Sequence, residues 1–200
     1  MTPRRRRVIL IGVVTALLLL CGIAAGFYWG TGPAARCLLP AEGPAEPGWS
    51  ARTLVSSGRD RCYYLYIPSG YDPDQPIPTV ISFHGFLSNP ESQALITGWH
   101  KLAEKEGFLV AYPQGTSFPQ RWNAGASWGD PEVNDVQFAV DLLEHLSSVA
   151  ALDRSRVYVN GFSNGGGMAV RLGCELGDQI AALGSVAGAV VGLEDCSPPR

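Results

Sequence analysis

The sequence predicts an α/β fold, a mostly parallel sheet with helices on both faces. Three observations predict it. Short apolar runs at 79–83, 108–112 and 156–160 have the length and β-branched content of strands buried on both faces. Stretches with apolar residues at helical spacing lie between them, so strand and helix alternate along the chain. The run 156–160 passes through Gly161-Phe162-Ser163-Asn164-Gly165 directly into a helix of small residues.

Two hundred residues suffice for one domain with a real core. The net charge is −3, with Arg4, Arg5, Arg6 and Arg7 clustered at the N-terminus. The rest of the chain is acidic, which gives no footprint for nucleic acid. There is no zinc-type cysteine spacing and no internal repeat. No metal and no organic cofactor is expected.

Residues 1–29 read as an export segment, and residues 8–29 form an apolar run long enough to span a bilayer. The arginines ahead of it should stay cytoplasmic and place the remainder outside. Phe27, Tyr28 and Trp29 suit an outer interface. The small residues around Ala24 and Ala25 also permit signal cleavage, so a transmembrane anchor and a cleaved signal both stand. Either way the protein is expected outside the cytoplasm. Cys37, Cys62, Cys174 and Cys196 would then lie where disulfides form. Of the three possible pairings, Cys37 with Cys62 and Cys174 with Cys196 are the sequence-local ones.

Residues 30–50, rich in Pro, Gly and Ala, read as a linker. The domain follows over 51–200. Strands are expected at 51–57 and 61–68, joined across Gly58-Arg59-Asp60. Tyr63, Leu65 and Ile67 alternate with Tyr64 and Tyr66, which predicts one half-exposed face. Strand 79–83 ends in His84-Gly85-Phe86. A helix is expected over 94–106, with Trp99, Leu102 and Ala103 on its apolar face and Gly107 as its stop. Strand 108–112 closes at Pro113. The polar loop 114–129 carries Trp122, Asn123 and Trp128 at the C-terminal end of a strand. There they would either wall a substrate site or pin the loop by packing. Asp130-Pro131 reads as the start of the next helix, with Val136, Ala139, Val140, Leu143 and Leu146 toward the sheet. Asp135 and Asp141 read as solvated or loop-tying carboxylates. A helix over 165–176 and an apolar strand over 181–187 complete the pattern.

The turn after strand 156–160 fits G-x-S-x-G, in which a serine nucleophile sits on a bend too tight for ordinary backbone angles. Glycines two before and two after keep side chains out of the way. The helix that follows aims its N-terminus at Ser163, where its dipole favours negative charge.

With His84-Gly85, Tyr112-Pro113, Arg121-Trp122-Asn123, Asn134-Asp135-Val136 and 156–166 in this order, the chain resembles α/β-hydrolases. Among them it is similar to the polyhydroxybutyrate depolymerase, feruloyl esterase and acetylxylan esterase group, from about Arg61 onward. The resemblance implies a serine esterase acting on esters of an extracellular polymer, either a polyhydroxyalkanoate or a feruloylated or acetylated plant polysaccharide. It implies Ser163 as nucleophile and the Phe86 and Asn164 backbone N–H groups as the oxyanion hole. It implies Trp122 and Asn123 near the substrate. The His84 side chain lies on the wrong strand for a catalytic base and reads as ordering its own loop by hydrogen bonding.

One departure stands out. The fold orders its triad Ser, then Asp or Glu, then His. His84, His100 and His145 all precede Ser163. The acid and the base are therefore expected beyond residue 200, in further strands of the sheet. On that expectation the 200 residues alone would be nearly inactive. The alternatives are a non-catalytic glycan- or polymer-binding module that kept a hydrolase shell, and a remnant without function.

Overall fold

The computed structural model describes residues 37, 40–125, 130, 132–189, 192 and 196. The expected export segment 1–29 and Trp128 lie outside them. Among the described residues no helix is long and apolar enough to cross a membrane. The chain divides into two units, 1–38 and 39–200. The second unit carries the fold.

Among the described residues six strands form one sheet: β1 (Gly48–Ser56), β2 (Arg59–Ile67), β3 (Ile77–Phe83), β4 (Leu109–Pro113), β5 (Leu152–Phe162) and β6 (Ala182–Val186). Their order across the sheet is β1-β2-β4-β3-β5-β6. The β1–β2 and β2–β4 pairs are antiparallel; β4–β3, β3–β5 and β5–β6 are parallel. Among the described residues the helices are α1 (Pro90–Thr97), α2 (Trp99–Glu106), α3 (Asp135–Val149) and α4 (Asn164–Glu175).

Side-chain alternation along β2 shows how the sheet is covered. Tyr63, Leu65 and Ile67 join Phe138, Leu142 and Leu146 of α3 and Met168 and Leu172 of α4 in one core. Tyr64 and Tyr66 point the other way, and their hydroxyls donate to Glu91 of α1 (2.9 Å) and Glu104 of α2 (2.7 Å). Helices thus lie on both faces. Tyr64 is buried rather than half-exposed, because α1 covers it.

Several boundaries differ from the sequence reading, each for a local reason. The first hairpin turns at Ser57-Gly58, not across 58–60. Both residues have positive φ (50° and 72°), as a two-residue turn matching strand twist requires, and Ser56 pairs with Arg59. The stretch ahead of β1, expected to be linker, is tied to the sheet in its described part. The Arg52 guanidinium donates to the Gly43 and Pro44 carbonyls, and Ala45 N donates to Val149 O.

The helix expected over 94–106 is two helices. Asn89 caps the first by accepting from Ser92 N, with Pro90 in its first turn, and Gly98 at φ 63° ends it. Leu102, expected on the apolar face, is 41% exposed, while Ala103 is buried.

Helix α3 starts at Asn134, whose side chain accepts from Gln137 N, and not at Asp130-Pro131. The Asp130 carboxylate instead accepts from Glu132 N (3.1 Å) and Ser117 Oγ (3.0 Å), closing a turn. Phe138 and Leu142 join the expected residues on its buried face.

At the far edge, the five residues of β6 are exposed. Cys174 at the end of α4 is bonded to Cys196, Cα to Cα 5.2 Å, the sequence-local pairing. Cys37 and Cys62 are each disulfide-bonded as well.

Candidate active site

The site is built where β5 turns into α4. Ser163 occupies φ 53°, ψ −118°, a conformation L-residues avoid and functional turns retain. Its N–H donates to Val186 O (2.8 Å), and its carbonyl accepts from Gly167 N (3.0 Å), so both backbone groups are held.

The two motif glycines make the bend possible by letting backbones touch. A Cβ on Gly161 would stand 2.1 Å from Gly165 O. A Cβ on Gly165 would stand 2.2 Å from Phe83 O and 2.5 Å from His84 O. The start of α4 is thereby seated against the end of β3. That seating brings the next loop to Ser163: a Cβ on Gly85 would lie 3.5 Å from Ser163 Cβ. Phe86, Ser163 and Asn164 then border one cavity of about 260 Å³, with Ala124, Gly167, Ala187 and Ala189 as its small-residue walls. Ser163 is half-buried at its edge, at the N-terminus of the 12-residue α4.

The expected substrate residues take other roles. Trp122 is fully buried, so it packs rather than faces a ligand. Its indole Nε1–H donates to His84 O (2.8 Å), and its ring meets Phe83 edge-on at 5.0 Å and stacks with Phe138 at 6.3 Å. Asn123 is half-buried, and its side-chain N–H groups donate to the Asp130 and Val133 carbonyls. Both residues hold the loop that walls the cavity.

The three histidines are each engaged away from Ser163. His84 Nδ1–H donates to Gly85 O (2.7 Å), and Nε2 accepts from Gly115 N (2.9 Å). This is loop ordering, as the sequence suggests. The His100 ring packs on Trp49 and Tyr66, and the His145 ring meets Tyr63 edge-on.

Burial pushes the His84 imidazole down to about 4, against its bond to Gly85 O. The native state therefore keeps His84 neutral where the unfolded chain would protonate it, and stability falls as pH drops from about 6.5 toward 4. The expected loss between pH 6.5 and 4.5 is about 2 kcal/mol. Urea unfolding across this range should show it. Burial lowers His100 and His145 too, so His84→Gln isolates the contribution. An unchanged pH slope in that variant would mean that His84 is not the titrating group.

A second buried group was not foreseen. Arg61 and Asp135 are 4% and 1% exposed and lie 2.7 Å apart. The other Asp135 oxygen accepts from Asn123 N (2.7 Å), so this carboxylate ties the loop and is not solvated. Asn164 was foreseen only for its backbone. Its side chain bonds the Trp122 peptide, which no local signal announces.

Known proteins resemble this chain. The family model described as esterase PHB depolymerase matches residues 61–197. Feruloyl esterase B of Piromyces equi is 34% identical over 139 residues, covering 66% of this chain and 26% of that protein. The bifunctional acetylxylan esterase/xylanase XynS20E of Neocallimastix patriciarum is 30% identical over 131 residues, covering 66% and 18%. The chain thus spans about a quarter or less of these two relatives. The structure of an acetyl xylan esterase from Aspergillus awamori superposes with a TM-score of 0.59 at 18% identity, covering 76% of this chain and 57% of that one. That likeness gives the sheet and its helices an α/β-hydrolase fold. The family match runs from β2 through the elbow and its helix to the segment after β6, and by it the chain belongs to the esterase PHB depolymerase family.

Proposed function

We propose that the protein is an exported serine esterase that cleaves carboxylic esters through an acyl-enzyme, with esters of plant polysaccharide as its substrates. The observation that carries this reading is Ser163 at φ 53°, bordering the cavity it shares with Phe86 and Asn164. Ser163 Oγ attacks the ester carbonyl, and its proton passes to a base. The Phe86 and Asn164 N–H groups hold the oxyanion, and the alcohol leaves with a proton. Water then splits the acyl–serine bond and restores the hydroxyl.

His84, His100 and His145 are engaged elsewhere, so the base in this reading is a group other than these three. The feruloyl and acetylxylan esterase relatives support feruloyl or acetyl groups on polysaccharide as the ester, with polyhydroxyalkanoate as the family's other polymer. The Cys174–Cys196 bond and the arginine-led apolar run support a place outside the cytoplasm, secreted or anchored through residues 8–29.

Full-length protein should take up a fluorophosphonate at Ser163, seen as a mass shift on that peptide. It should release ferulate or acetate from arabinoxylan, and Ser163→Ala should do neither. Ester release that survives Ser163→Ala would refute the reading.

A further inference from the structure

The two N–H groups assigned to the oxyanion hole sit on different loops. Asn164 opens α4, and Phe86 follows β3. Backbone packing at Gly165 seats α4 against the end of β3, and a run of side-chain bonds adds a second link between them. Asn164 Oδ1 accepts from Trp122 N (2.7 Å), and Asn164 Nδ2 donates to Trp122 O (3.1 Å). One amide side chain thus closes both backbone polar groups of one residue. Trp122 Nε1–H donates to His84 O (2.8 Å), and the two rings lie 5.1 Å apart. His84 Nδ1–H donates to Gly85 O (2.7 Å), the residue before Phe86. Its other nitrogen is fixed by Gly115 N, so the ring cannot turn.

We infer that the Asn164 side chain is a positioning residue: through Trp122 and His84 it sets the spacing of the Phe86 and Asn164 N–H groups. The inference rests on the esterase reading above. Its chemistry is specific. The clamp needs one acceptor and one donor at fixed separation, which asparagine has and alanine lacks. The clamp touches backbone, not substrate, so substrate binding should survive its loss. What should suffer is the tetrahedral stage, where donor placement counts most; a misplacement of about 1 Å can cost about 10²-fold in rate.

The experiment compares full-length wild type, Asn164→Ala, Trp122→Phe and the double variant. Trp122→Phe removes the bond to His84 O and also shrinks a fully buried ring, so urea unfolding of each variant is measured alongside. The ester is methyl ferulate, and a trifluoromethyl ketone serves as tetrahedral analogue. Asn164→Ala should lower kcat by about 10²-fold with KM changed less than about threefold, and weaken the ketone by a similar factor. Trp122→Phe should lower kcat in the same direction, and the double variant should lose little more than Asn164→Ala, because both act along one path. If kcat is unchanged in Asn164→Ala, the clamp is overturned. If KM rises while kcat holds, Asn164 binds substrate and the positioning role is overturned. Additive losses would break the shared path. Fluorophosphonate labelling of the wild type runs in parallel: a labelled wild type with an unaffected Asn164→Ala refutes the clamp alone. An unlabelled wild type refutes the esterase reading and the inference with it.

Discussion

Gly165→Ala is expected to dismantle the elbow. The new methyl would stand 2.2 Å from Phe83 O and 2.5 Å from His84 O. Both obstacles are backbone at the end of a central strand, and Phe83 is fully buried, so neither can rotate aside. Helix α4 must lift from β3, and the Gly85 loop then leaves Ser163. Overpacking a core commonly costs about 1–3 kcal/mol, and a backbone clash of this depth belongs at the upper end or beyond, so about 3 kcal/mol or more is expected. Reactivity at Ser163 should fall by about 10²-fold or more, since Ser163 and the Phe86 N–H separate. Urea unfolding and the rate of fluorophosphonate labelling measure the two effects. Gly70→Ala is the control, because a Cβ there meets nothing within 4 Å. Equal stability of the two variants would disprove the contact.

Asp135→Ala should be nearly as damaging, by electrostatics. Arg61 is buried with its guanidinium 2.7 Å from Asp135 and 3.7 Å over the Phe138 ring. Burial already lowers its pKa, and Asp135 opposes that shift. Removing the carboxylate leaves a cation among aromatic rings with its charge unpaired. Breaking such a pair costs about 3–5 kcal/mol, whereas replacing both partners by apolar residues of similar size is often close to neutral. The expected result is therefore a severe loss in Asp135→Ala and a large recovery in Arg61→Met with Asp135→Leu. A loss below about 1 kcal/mol in the single variant would show that the pair is solvated rather than buried. The bond to Asn123 N also goes in Asp135→Ala, so the cavity-wall loop should loosen together with the core.

The elbow was legible because its constraints are local. Strand residues, two glycines and a small-residue helix fall within one short stretch. Strands β3 and β4 were legible because both faces are apolar, and that needs no partner to be recognised. Helix starts were less so. Asp130-Pro131 and Asn134 carry the same capping signature, and only the bonds from Ser117 and Glu132 to the Asp130 carboxylate decide between them. Asn89-Pro90 was a true start hidden behind a loop-like composition. Trp122 was ambiguous for a different reason. Its burial depends on Phe83, His84 and Phe138, which reach it from other elements. A polar loop in the sequence is thus an anchored wall in the fold. The same holds for the Asn164 side chain, whose partner lies 42 residues away.

The Cys174–Cys196 bond bears on how the fold would withstand proteolysis. It closes a loop that contains β6, between the end of α4 and the segment that follows the strand. A protease that cut the exposed chain inside this loop would leave the two pieces covalently joined. The strand whose Val186 carbonyl holds Ser163 N would stay attached to α4, the helix that follows Ser163. Damage at the most accessible edge of the sheet would then be a nick and not a loss.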